Sequence, residues 1–455
     1  MKNFELIPDA RNLMESTRSI GYSLSAAVAD LVDNSIAAEA DRVEIWTPVS
    51  EDDHLMILDN GFGMSLDDLL TAMRYGSRNV DDCRRASDLG RFGLGLKMAS
   101  LSQCRRLTVL SKKSGNPIVG ARWDLDHVAQ TSCPWALQIL EDGDFDSVPW
   151  RDRLENLESG TLVVWEKLDV FFRGIKEKGH GTALLNKVCG LKAHLSLVFH
   201  RYIESVEIGP LSIVFNGDEL QPADPFLRNR SKRPFAPDEY SLAGEKIVIE
   251  PFILPHPKLL TAEERETAGD LQKDQGFYVY RNKRLVIWGT WFRLSRKLGL
   301  SKLARVRVDI PASAELDRLW DLDVKKSNAS IPEELKQELG RVVEQLSNRS
   351  GRVWTRRAKA ELTEKALWVR VRNADGTVVY KINENHPLAE DLIRKTPGLK
   401  SFLRLLSSGL PLNSIYSAIR GDNVVVSNSV EEQKAIAELK SLGIDTTLLE
   451  KRFRM

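Results

Sequence analysis

The stretch DLVDNSIAA, Asp30–Ala38, reads as a helix with two oxygen-bearing side chains on one face. Leu24, Val28, Leu31 and Val32 recur at helical spacing, so Asp30 and Asn34, at i and i+4, project together. Mg²⁺ takes hard oxygen ligands and keeps phosphates and waters as most of its shell, so Asn34 alone suffices as a protein ligand. Asp30, one turn earlier, is placed to orient or deprotonate an attacking water. Taken alone, the same pattern also fits an ordinary solvated helix face.

Two further stretches follow. LDNGFGM, Leu58–Met64, leaves a strand-like run at His54–Leu58 and places Gly61 and Gly63 where the chain turns sharply. Asp59 then stands at a strand end, able to accept a hydrogen bond from an exocyclic amine such as that of adenine. A plain Asn-Gly turn is the simpler account. DLGRFGLGLKMAS, Asp88–Ser100, spaces glycines at Gly90, Gly93 and Gly95, with Lys97 opening an apolar run. Glycines free consecutive backbone N–H groups to face one anion, a phosphate cradle in principle. The order GxxGxG is not the dinucleotide fingerprint, and Met98 after Lys97 excludes a Walker A loop.

In order and spacing the three stretches resemble the gyrase, chaperone, histidine-kinase and MutL (GHKL) ATPase superfamily. AVADLVDNSIAA and GRFGLGLKMAS are near-matches in wording to its MORC-type branch. The resemblance implies a Bergerat-fold ATPase α/β sandwich that binds ATP and Mg²⁺. It makes Asp30 the general base, Asn34 the Mg²⁺ ligand and Asp59 the adenine partner, with Gly61, Gly63 and Met64 beside the base. It also makes Gly90, Arg91, Phe92, Gly93, Leu94 and Gly95 the phosphate-facing lid, Lys97 the lid lysine, and Gly160-Thr161 the strand element that completes the adenine pocket. In the superfamily the segment Ser65–Ser87 belongs to a lid that closes over ATP, with Arg78 and Arg91 as phosphate partners. The family's base is usually Glu, whereas Asp30 is one methylene shorter, so slow turnover is expected.

Strand-like runs at Val206–Asn216, Lys246–Phe252 and Gly276–Trp288 lead into LARVRVDIPASAELDRLWDLDVKKSNASIPEEL. This layout resembles a transducer-type α/β domain, in which a loop lysine reaches the terminal phosphate. Here the loop is Asp323–Ser330, and Lys326 is favoured over Lys325. The Ser330/Glu333 capping pattern starts a helix expected to reach about Ser347. Beyond it a smaller α+β C-terminal region is expected, with strands at Ala366–Val371 and Thr377–Ile382 and helices after Asp391. His386 reads as a structural hydrogen-bonding residue. The expected division is 1–205, 206–348 and 349–455.

At 455 residues the chain can build about three substantial cores, and its net charge of +1 makes no overall polycation. Local charge is less even. Between Phe277 and Val308 lie nine Lys or Arg, among them Arg281, Lys283, Arg284, Arg293, Arg296, Lys297, Arg305 and Arg307, and no Asp or Glu. Tyr278, Tyr280, Trp288, Trp291 and Phe292 are interleaved. The stretch is a candidate for duplex DNA backbone contact through the Arg281, Lys283, Arg284 region, although strand alternation sends some of its aromatics into a core. Four scattered cysteines without CxxC spacing indicate neither a zinc site nor a disulfide framework. With no apolar run long enough to span a bilayer, a cytoplasmic protein with no membrane partner is expected. Two function classes follow: an ATP-gated DNA clamp that dimerises on ATP binding, with defence against foreign DNA implied by MORC-type relatives, and a chaperone-like or signalling ATPase that recognises a protein partner through the C-terminal region.

Overall fold

A computed structural model describes residues 8–19, 21–48, 50, 54–75, 95–133, 135–173, 180–205, 209–297, 299–322, 329–361, 367–372, 378–384, 386–396 and 399. The expectations on Arg78, Gly90, Arg91, Phe92, Gly93, Leu94, Lys325 and Lys326, and on the helices beyond residue 400, lie outside them.

The first part of the chain alternates α1 (Ala10–Arg18), α2 (Leu24–Ala37), β1 (Arg42–Trp46), β2 (Leu55–Asp59), α3 (Leu66–Met73), α4 (Gly95–Leu101), β3 (Arg106–Lys112), β4 (Val119–Asp124), α5 (Leu125–Gln130), β5 (Gln138–Ile139), α6 (Arg151–Glu155), β6 (Gly160–Glu166), α7 (His180–Val198), α8 (His200–Ile203), β7 (Ser212–Phe215) and β8 (Asp218–Glu219). Among the described residues these strands form one sheet in the order β5-β4-β3-β6-β2-β1-β7-β8, antiparallel throughout except for β1 beside β7. The strand expected from Val206 thus begins, among the described residues, at Ser212, and it extends this first sheet.

Period-two alternation decides which face each residue covers. Leu55, Ile57, Val109, Val163 and Trp165 meet the helices, whereas Met56, Leu58, Leu110, Leu162 and Val164 pack with Leu154 of α6 on the opposite face. Both faces of β2 are therefore covered, which is why all five of its residues are buried. On the helical side α2 packs against α4 and α7. Ser23 caps α2 by accepting from Ala26 N at 3.1 Å, and the helix buries eight residues. Two of the eight are Asp30 and Asp33.

A second sheet, ordered β12-β11-β13-β10-β9, is built from β9 (Asp238–Leu242), β10 (Glu245–Ile253), β11 (Gly276–Arg281), β12 (Arg284–Thr290) and β13 (Ala304–Ile310), with α9 (Ala262–Ala268) between β10 and β11 and α10 (Ala314–Leu319) after β13. The run Gly276–Trp288 is a hairpin, with Asn282 and Lys283 both at positive φ, 48° and 69°, as a two-residue primed turn requires.

Part of the basic stretch is internal, which corrects the expected DNA-contacting face at Arg281 and Arg284. Arg281, Arg284 and Arg305 are 8%, 4% and 1% exposed, and Tyr278, Tyr280 and Trp291 are buried with them. Their charges are matched inside the fold. Arg281 holds Asp317 of α10 through two bonds of 2.7 and 3.0 Å, Arg284 holds Asp33, Arg305 donates to the carbonyls of Pro225 and Ala268, and Arg307 pairs with Glu250 at 2.7 Å. Lys283 is half-buried, whereas Arg293, Arg296 and Lys297 are exposed.

α11 (Glu333–Glu361) runs well past Ser347. The Asn-Arg-Ser-Gly sequence at 348–351 reads as a loop, but Ser350 is buried and its hydroxyl accepts from Leu303 N at 3.3 Å, so tertiary packing overrides local preference. The C-terminal region contains an antiparallel pair, β14 (Trp368–Arg372) and β15 (Val378–Ile382), followed by α12 (Pro387–Lys395). His386 caps α12, its Nδ1 accepting from Leu388 N at 3.2 Å, the structural role expected of it.

Arg281→Met leaves the Asp317 carboxylate buried without its cation, and should lower stability by about 3–5 kcal/mol, measurable by urea unfolding.

Candidate functional site

The site forms where α2 crosses the ends of β2 and β6. Asp59, the last residue of β2, is buried, and its two oxygens are held from three directions. Oδ1 accepts from Gly61 N at 3.0 Å, closing a turn on its own chain, and from Thr161 N at 3.2 Å. Oδ2 accepts from the Ser35 hydroxyl at 2.9 Å. Burial raises the Asp59 carboxyl above its ordinary value of 3.8, and the hydrogen bonds from Gly61, Ser35 and Thr161 pull against that rise.

Ser35 directly follows Asn34, so the helix carrying Asp30 and Asn34 touches the Asp59 end of the site. Asn34 itself is exposed on α2. Asp30 is 4% exposed; its Oδ2 accepts from the Tyr22 hydroxyl at 3.1 Å, and its Oδ1 lies 3.9 Å from an Arg284 terminal nitrogen. The Arg284 Nε lies 2.8 and 2.9 Å from the two oxygens of Asp33. Gly95, which opens α4, lies against Asp30: a Cβ there would stand 3.8 Å from Oδ2.

The glycine turn after β2 is fixed by Ser111 of β3. Its hydroxyl accepts from Met64 N at 2.8 Å, donates to Gly160 O at 3.0 Å and lies 3.0 Å from the Thr161 hydroxyl. A serine has one proton, and here Gly160 takes it, so Thr161 donates to Ser111 and keeps its own lone pairs for a ligand. The backbone approaches itself closely here. Gly63 has φ +65°, and a Cβ on it would stand 1.9 Å from the Lys112 carbonyl oxygen; one on Gly160 would stand 2.2 Å from that of Asp59. Only glycine fits these two places.

The fold thus brings together Asp30, Asn34, Asp59, Gly61, Gly63, Met64, Gly95 and Thr161. Lys97 lies two residues after Gly95 on α4. That side chain is fully buried and its ammonium donates to Ala72 O at 2.7 Å. Ala72 lies in the last turn of α3, where carbonyls lack partners within the helix, so a lysine from the adjacent α4 finds an acceptor there. Ser35, Ser111, Tyr22 and Arg284 are the polar contributors that sequence reasoning missed. Ser35 alone carried a signal, as a hydroxyl inside the helical motif.

An acidic acceptor and a threonine beside a glycine-walled turn, one helix turn from an exposed amide oxygen and a second carboxylate, suit an adenine nucleotide with its cation. Residues 22–161 match the family described as histidine kinase-, DNA gyrase B-, and HSP90-like ATPase, and this part of the chain is a GHKL-type ATPase domain. Among curated proteins, the chain is 32% identical over 94 residues to the ATPase MORC2B of Mus musculus, covering 20% of this chain and 9% of that protein. It is 30% identical over 105 residues to the DNA mismatch repair protein MutL of Halobacterium salinarum, covering 23% and 16%. With MutL of Thermosipho melanesiensis it shares 27% over 197 residues, covering 40% and 35%. The aligned parts thus span well under two thirds of these relatives. No helix among the described residues is long and apolar enough to cross a membrane.

An amine donor needs the ionised form of Asp59. Affinity for an ATP analogue should therefore be full above the raised Asp59 value and fall as pH drops through it, starting above the ordinary carboxylate range. Calorimetric titration across pH checks this, with Asp59→Ala weak and flat over the same window.

Proposed function

We propose that the chain binds and hydrolyses ATP with Mg²⁺ and uses the cycle to pair two copies of itself on DNA. What supports hydrolysis is the convergence on α2, where Asp30 and Asn34 share the helix whose Ser35 holds Asp59. Asn34 offers a hard oxygen on an exposed helix face, the donor type Mg²⁺ prefers, and a bound Mg²⁺ would neutralise charge on the phosphates. Asp59 accepts the adenine amine and Thr161 lies beside it, while the Gly63–Met64 backbone forms a wall. In the chemical step the water oxygen bonds to the terminal phosphorus, the bond to the bridging oxygen breaks and leaves with ADP, and the water proton passes to Asp30. The amides from Gly90 to Gly95, with Arg91, would line the phosphates, and Lys326, with Lys325 as the alternative, would stabilise charge on the transferred group.

This assigns 1–205 to the ATP-binding domain, 206–348 to a transducer-like domain onto whose partner sheet β7 and β8 pair, and 349–455 to a C-terminal region. The similarity to MutL, whose name specifies DNA mismatch repair, supports DNA as the target, and a role against foreign DNA rests on the MORC resemblance. The exposed basic groups that would meet a phosphate backbone are Arg293, Arg296 and Lys297 rather than the buried Arg281 and Arg284.

Asp30→Asn should abolish ATP turnover while leaving nucleotide affinity within about threefold, and full turnover in that variant would remove the hydrolytic assignment. Sedimentation should show dimers with a non-hydrolysable ATP analogue and monomers without it; monomers in both conditions contradict ATP-gated pairing. Duplex DNA affinity should fall steeply with salt and weaken on charge reversal at Arg293 and Arg296, whereas absence of DNA binding and of DNA-stimulated turnover favours a protein target.

A further inference from the structure

Arg284 comes from the second sheet, yet its guanidinium lies among the acids of α2. Its side chain is 5% exposed, and those of Asp33 and Asp30 are 0% and 5%. Nε holds Asp33 at 2.8 Å while a terminal nitrogen stands 3.9 Å from Asp30 Oδ1. The guanidinium carbon also lies 5.8 Å from the centre of the Phe199 ring.

The support for this arginine is rigid. It opens β12 immediately after the primed turn, and Arg281, its cross-strand partner, makes the two-bond clamp on Asp317. The turn is pinned from both sides, with Asn282 N donating to Ile310 O at 3.0 Å and the Tyr202 hydroxyl donating to Asn282 O. One hairpin end therefore grips α10 with one arginine and α2 with the other. Nearby His194, on α7, is held neutral at ordinary pH because burial and the Arg284 charge push its value down to about 4, so it adds no competing cation. On its other oxygen Asp30 is held by Tyr22.

A clamp on Asp33 alone needs only one cation, but a planar fork can act on two carboxylates at once. Asp30 carries its carboxylate on a side chain one methylene shorter than the usual Glu, so its direction depends on what surrounds it. We infer that Arg284 is a positioning residue for hydrolysis, setting the direction of the Asp30 carboxylate while neutralising Asp33. This rests on the assignment of Asp30 as general base.

The test measures ATP turnover, fluorescent ATP-analogue affinity and melting temperature of the full chain for Arg284→Met, for Arg284→Met with Asp33→Leu, and for Asp30→Asn. Arg284→Met alone removes this cation from the buried Asp33 carboxylate and should lower both the melting temperature and kcat. Removing both partners replaces the ion pair by apolar groups and should bring the melting temperature back toward that of the parent. If Arg284 positions Asp30, kcat in this double variant stays down by roughly tenfold or more with nucleotide affinity within about threefold. Parental kcat in the double variant, with Asp30→Asn inactive, overturns the positioning role and leaves Arg284 a clamp. Parental turnover in Asp30→Asn instead overturns the base assignment beneath it. Arg284→Lys provides a gentler variant, retaining the charge on Asp33 without the fork; a parental kcat there also overturns the proposal, and a reduced kcat at parental melting temperature supports it.

Discussion

Two carboxylates inside one helix set the terms for much of this structure. Asp30 and Asp33 are buried on α2 among alanines, valines and leucine, and ionised groups taken out of water need a counter-charge and hydrogen bonds if the fold is to stand. Tyr22 supplies a hydrogen bond from the chain just before the helix, and Arg284 supplies the charge from the second sheet. The requirement explains why so basic a segment as Phe277–Val308 turns inward. Each of its deeply buried arginines answers an acid or a set of carbonyls, and the aromatic residues between them fill the space around the guanidinium groups.

The Asp59 end of the site follows a different logic, that of close backbone approach. Gly63 and Gly160 bring three strands and a turn into near contact, and Ser111 ties them with one hydroxyl. Asp59 is thereby fixed at its carboxyl group by two amides and a serine before any ligand arrives. An acceptor prepared in this way loses little freedom on binding, which is where pre-organisation gains affinity. On α2 the neighbours Asn34 and Ser35 divide the faces of the helix: one is exposed at the surface, the other turns inward to hold Asp59.

Local motifs made much of this legible in the sequence. Asp30 and Asn34 announce themselves by helical spacing, and Asp59 with its glycines by a strand ending in a turn; Gly160-Thr161 needed the family resemblance to be noticed. What escaped was long-range. Arg284 meets Asp33 across 251 positions, and no periodicity relates the two. Ser111 is an unremarkable serine in an apolar strand until β6 lies beside it. For Lys97, glycine spacing suggests an anion but says nothing of the carbonyl at the end of a neighbouring helix to which its ammonium donates. The basic stretch misled for a related reason, since a count of charges along the chain cannot tell an outward arginine from one that enters a core to meet an acid elsewhere. Past Ser347, the helix outlasted a loop-like tetrapeptide because Ser350 had a buried place to fill.

The hairpin that delivers Arg284 also bears on how the protein is made. During synthesis the amino-terminal sheet and α2 leave the ribosome long before residue 284 has been translated, and until then Asp33 has no arginine to receive it. A module that borrows its counter-charge from downstream cannot mature in strict order of synthesis, so the nucleotide site is completed only after the second sheet has formed. Catalytic competence would then arise late in the life of the nascent chain, as a property of two sheets acquired together.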